Sequence, residues 1–79
     1  MEYEHFRGQA NLIIDNVFKS GHRFIIRELI DVTLWNSLEE KTRQTFGSNF
    51  REDVRQGLIN ARLSEQEDNL LGCAIYIKK

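Results

Sequence analysis

The chain has 79 residues, 41% hydrophobic and 29% charged, with 11 basic and 12 acidic side chains and a formal net charge of −1. That length accommodates one domain, residues 1–79, with a modest core, and the composition excludes disorder, which needs lower hydrophobicity and a more one-sided charge. A dedicated DNA-binding domain usually carries a basic excess to neutralise phosphates, so the charge balance weakens that expectation without removing it.

Tyr3, Phe6, Ala10, Ile13, Ile14 and Val17 recur at spacings of three and four, which predicts an N-terminal amphipathic helix. Ser20-Gly21 is the expected end, with Gly21 as a left-handed C-terminal cap. Leu12 falls off the stripe and reads either as an ordinary exposed residue or as a partner contact. Phe24-Ile25-Ile26 is short and apolar, which predicts a strand, and Arg27–Ile30 reads as a short helical turn.

Ser37-Leu38-Glu39-Glu40 matches a capping box, with the serine oxygen accepting the Glu40 amide. Trp35 just before it is placed as a lid on the core. Leu38, Thr42, Phe46, Phe50, Val54 and Leu58 recur every fourth residue and keep phase through Gly47, which predicts one helix from about Ser37 to Gln56, ended by Gly57. The period then becomes two. Ile59, Ala61 and Leu63 alternate with polar residues, as do Cys73, Ile75 and Ile77 with Ala74, Tyr76 and Lys78, across a polar tip from Glu65 to Asn69. Two such runs predict a β-hairpin.

The elements together give an α+β fold of winged helix-turn-helix type: N-terminal amphipathic helix, short strand, short helix, long helix and C-terminal β-hairpin. Phe24–Ile26 is the third strand beside the hairpin. The expected core is Phe6, Ile13, Val17, Phe24, Ile26, Leu29, Trp35, Leu38, Phe46, Phe50, Val54, Ile59, Leu63, Ile75 and Ile77.

Met1 to Gly8 is polar and charged, which reads as no signal peptide. The longest apolar runs, Leu12–Ile14 and Cys73–Ile77, are too short to cross a bilayer. Cys73 stands alone, reads as a buried small side chain and fits a reducing compartment, so a cytoplasmic location without a membrane partner is expected.

Nothing in the pattern calls for an enzyme, a metal or a cofactor. His5 and His22 are isolated, the glycines are dispersed, and Glu39-Glu40 is a helix-start pair rather than an acid/base pair. The candidate site is the basic edge of the long helix. Arg43, Gly47, Arg51 and Arg55 stand every fourth residue, and Gln44, Ser48 and Asn49 lie beside them. Arginine reaches phosphates and guanine edges, and glutamine or asparagine pairs with adenine. The opposite reading fits equally well. Ser37 to Gly57 carries four basic and four acidic residues, with Glu39 four before Arg43, so the line also suits a solvated face laced with ion pairs.

The acidic residues Glu65, Glu67 and Asp68 at the hairpin tip oppose phosphate docking, with Lys78 and Lys79 a partial offset; the tip reads first as an ordinary solvated turn and alternatively as a surface for a basic protein. The leading expectation is DNA binding in bacterial or phage gene regulation. The alternative is a protein-interaction module, an adaptor or inhibitor of a host protein. A homodimer through the N-terminal helix suits the first, because such repressors commonly present two half-sites.

The ordered run Phe24-x-Ile26-x-x-Leu29, Trp35-x-x-Leu38, Arg43, Gly47-x-x-Phe50-x-x-x-Val54-x-x-Gly57, with Tyr76 near the end, resembles a family of small bacterial and phage proteins of unknown function with a winged-helix look. The resemblance spans about Ser20 to Lys78 and leaves the N-terminal helix as an addition or a variable part. It implies an intracellular, non-enzymatic protein, often from a mobile element, and supplies no catalytic or binding residues.

Overall fold

A computed structural model describes the backbone of residues 2–68 and 73–79 and the side chains of residues 2–64 and 74–79. The first helix, α1 (Tyr3–Asn16), buries Phe6, Ala10 and Ile14, one per turn, with Tyr3 and Ile13 packed at the edge. It ends earlier than the sequence pattern suggests. Val17 is the C-cap residue and 69% exposed, not core. The Lys78 ammonium donates to the carbonyls of Phe18 (2.7 Å) and Asp15 (3.3 Å), a cation at the negative end of the helix. Gly21 is therefore not the helix cap. With φ of 88° it shapes the turn into the sheet, where its N–H donates to the Lys78 carbonyl at 2.8 Å.

Strand β1 (Arg23–Phe24) is shorter and one residue earlier than expected, because Ile26 already opens a 3-10 turn (Ile26–Leu29) closed by Glu28 N–H to the Ile25 carbonyl. Helix α2 (Val32–Ser37) follows. Its N-cap is Asp31, whose carboxylate accepts the amides of Thr33 (2.9 Å) and Leu34 (3.2 Å). This helix displaces the expected capping box. Ser37 lies inside α2 and its hydroxyl donates back to the Leu34 carbonyl at 2.6 Å, while α3 (Glu40–Arg55) opens after an extended Glu39 without a side-chain cap. Trp35 is accordingly within α2, half-buried against the core.

Helix α3 runs unbroken through Gly47 and buries Phe46, Phe50 and Val54. Gly57 closes it in a Schellman arrangement: φ is 80°, its N–H donates to the Val54 carbonyl, and the Leu58 N–H reaches the Asp53 carbonyl at 2.9 Å. The reversal throws Leu58 off the stripe, leaving it 52% exposed.

Strands β2 (Ala61–Asp68) and β3 (Cys73–Lys78) complete an antiparallel sheet of order β1-β3-β2. Phe24, Tyr76 and Leu63 stand in register across it and face the helices, while Arg23, Ile77 and Arg62 form the adjacent row on the other face. In β3 the helix-facing residues are thus Ala74 and Tyr76, the reverse of the expected phase; Ile75 is only half-buried, while Ile77 is buried as expected, though in the row of the other face. Apolar residues occupy both phases of this strand, so alternation alone does not choose a face. The Phe24–Tyr76 pairing does, with rings 5.8 Å apart.

Strand β2 continues through Glu65 to Asp68, with a register irregularity between Leu63 and Glu67. The acidic residues Glu65, Glu67 and Asp68 are therefore strand positions rather than a turn. Their side chains, like that of Cys73, lie outside the described residues.

The core is a continuous aromatic chain. Phe18, Phe24, Tyr76, Phe50, Phe6 and Phe46 follow one another at centroid distances of 5.0, 5.8, 4.9, 6.2 and 5.5 Å. Ile13, Trp35, Leu38 and Leu63 pack partly buried at its margin. Among the described residues no helix is long and apolar enough to cross a membrane.

Candidate nucleic-acid interface

At 3.6 residues per turn, α3 turns Phe46, Phe50 and Val54 inward and leaves two flanks of different character. The flank toward α1 carries Asp53, whose carboxylate accepts the Tyr3 hydroxyl at 2.5 Å and pairs with Arg7 at 3.3 Å. Burial, then the hydrogen bond to Asp53 and its negative charge, push the Tyr3 hydroxyl well above the ordinary tyrosine range. Asp53 is only 13% exposed, so its charge is neutralised internally.

The other flank borders an open groove of about 640 Å³ between α3, Trp35 of α2 and the helix-facing side of β3. Glu40, Arg43, Gln44, Gly47, Ser48 and Arg51 line it from α3, with Ile26, Trp35, Ala74 and Tyr76 opposite. Arg43 is half-buried and reaches the Trp35 carbonyl at 3.5 Å, a long hydrogen bond. Arg51 is exposed. Among the described residues, neither Arg43, Arg51 nor Arg55 has a carboxylate within ion-pairing distance, and the expected Glu39–Arg43 pair does not form.

Four of the six residues predicted from sequence, Arg43, Gln44, Ser48 and Arg51, come together in this groove. Arg55 is exposed on the same side, one turn beyond it. Asn49 lies one turn before Asp53 and belongs to the α1 side, away from the arginine line. Lys78 is engaged at the end of α1, which removes it as an offset to the acidic strand positions.

Charge is redistributed accordingly. The neutral count for residues 37–57 includes Asp53; without it, four basic residues (Lys41, Arg43, Arg51, Arg55) face three acidic ones (Glu39, Glu40, Glu52). The sequence pattern places Trp35 over the core and does not reach its role as a groove wall. The Asp31 N-cap signal, which creates α2, is the available clue.

Exposed apolar side chains lie elsewhere: Leu12 and Val17 at α1, Val32 and Leu34 on α2. Leu12 shares a shallow concavity with Ile13, Leu29 and Ile30, bordered by Glu28 and Asp31.

No curated protein and no solved structure matches the chain. A family profile does match, over residues 9–78, and so includes the second half of α1 that the sequence pattern sets apart. The chain belongs to the family described as a domain of unknown function, DUF1413.

Proposed function

We propose that the protein binds duplex DNA through the groove side of α3 and acts in gene regulation. One observation carries this reading: the side of α3 away from α1 gathers Arg43, Gln44, Ser48 and Arg51 at one groove, with Arg55 beyond, and none of these arginines has a carboxylate partner among the described residues. Arg51 and Arg55 have the reach and charge for phosphates, and Gln44 and Ser48 have the donors and acceptors for base edges. Arg43, tethered to the Trp35 carbonyl, holds its guanidinium at the groove wall. The helix–strand–helix–helix–hairpin order is compatible with a winged-helix mode, with α3 as the inserted helix.

Fluorescence anisotropy with a labelled random-sequence duplex at low salt tests the reading. Micromolar or tighter binding is expected, weakened by joint Arg51→Ala and Arg55→Ala substitution. No binding by the wild-type protein at low salt would overturn it.

The exposed Leu12, Val17, Val32 and Leu34 favour a second reading, a protein partner or a second copy of the chain docking at α1 and α2. Sedimentation of wild type and Leu12→Lys distinguishes self-association from a monomer.

A further inference from the structure

Gly47 sits in the middle of α3, where glycine is a poor helix former. No contact among the described residues asks for it. Its backbone is not among the positive-φ positions of the described residues, Gly21 and Gly57, and apart from the adjoining helix backbone a Cβ placed there meets no described atom within 4 Å. Packing therefore leaves room for alanine, and helix propensity favours it.

The surroundings are specific. Gly47 lines the groove with Arg43 one turn before it, Arg51 one turn after it, and Ser48 alongside. Gly8 in α1 has equally open space, but it is on an exposed face and Arg7 beside it is committed to Asp53. A bare Cα between two guanidinium groups makes a seat where an incoming chain can approach the helix backbone closely.

We infer that Gly47 is the point at which the phosphodiester backbone of one DNA strand crosses α3. Sugar atoms pass over its Cα, and the flanking phosphates meet Arg43 and Arg51. Glu40, at the N-terminal end of the groove, repels phosphate, so the strand leaves toward Arg51. This inference rests on the DNA-binding reading and adds a contact site to it.

The test compares wild type, Gly47→Ala and Gly8→Ala by thermal melting and by anisotropy with the labelled random duplex. Both alanine variants are expected to raise the melting midpoint by ~4–8 °C, the gain for a helix-interior glycine replaced in a domain of this size. Gly47→Ala alone is expected to weaken DNA binding by about tenfold, the effect of removing one well-placed interaction. A more stable Gly47→Ala variant that binds DNA as tightly as wild type would overturn the inference while leaving the DNA-binding reading intact. Failure of the wild-type protein to bind would overturn both.

Discussion

The two flanks of α3 differ in what satisfies their polar groups. Toward α1, Asp53 is enclosed by Tyr3 and Arg7, so its negative charge stabilises the seam between the two helices. Toward β3, among the described residues Arg43 has only a backbone carbonyl and Arg51 has no carboxylate partner, and Gly47 leaves an opening. A charged side chain that completes an internal network is explained by folding. One that faces an open groove contributes little to stability and is free to meet a ligand. Helix α3 therefore joins a structural flank to a candidate binding flank, with the aromatic core between them.

Breaking the shared core should have the largest effect. Phe50 is fully buried between Phe6 and Tyr76, so Phe50→Ala should lose ~3–5 kcal/mol, a large share of the stability of a small domain, as read by urea denaturation. On the groove side, Arg51→Ala with Arg55→Ala should leave stability within about 0.5 kcal/mol of wild type while lowering the salt slope of DNA binding by about 2, one for each arginine taken away from a phosphate. A large loss of stability in that variant would erase the distinction between the flanks.

On the α1 side, Tyr3→Phe should cost ~1–2 kcal/mol near neutral pH through loss of a hydrogen bond to a charged acceptor, and leave DNA binding unchanged. Its pH signature has a definite sign. The folded protein holds the Tyr3 proton more tightly than the unfolded chain, so this contribution is complete below the ordinary value of 10.0 and declines as pH rises above it. Denaturation midpoints measured from neutral to alkaline pH should fall less steeply in Tyr3→Phe than in wild type. The smallest effect is expected from Glu40→Gln. Removing this carboxylate should tighten DNA binding severalfold, with ~0.3–1 kcal/mol of helix stability lost at the N-terminal end of α3.

The fold was largely legible where a single period dominated. The stripe of α3 runs through Gly47, and a third strand pairs beside the hairpin, although Phe24 is the one residue of the Phe24–Ile26 run within it. Legibility failed where two local signals competed. Ser37 to Glu40 has the letters of a capping box, but the Asp31 carboxylate nucleates a helix that consumes Ser37 first. In β3 the apolar residues populate both phases, and only pairing with Phe24 decides that Tyr76 faces inward. The arginine line could be read from its spacing of four. That Asp53 turns to the other flank follows from the same spacing, but the lack of carboxylate partners among the described residues does not: Glu39, four residues before Arg43, is the N-cap residue of α3 and does not pair with it.

Amide chemical-shift mapping during titration with a random DNA duplex tests the difference between the flanks most directly. Perturbations are predicted at Arg43, Gln44, Gly47, Ser48, Arg51 and Arg55, with Asn49, Asp53 and the α1 residues Tyr3 and Arg7 unmoved. Perturbations centred on Leu12, Val17 and Val32, or none at saturating duplex, would contradict the assignment of the groove side of α3 as the DNA-binding surface.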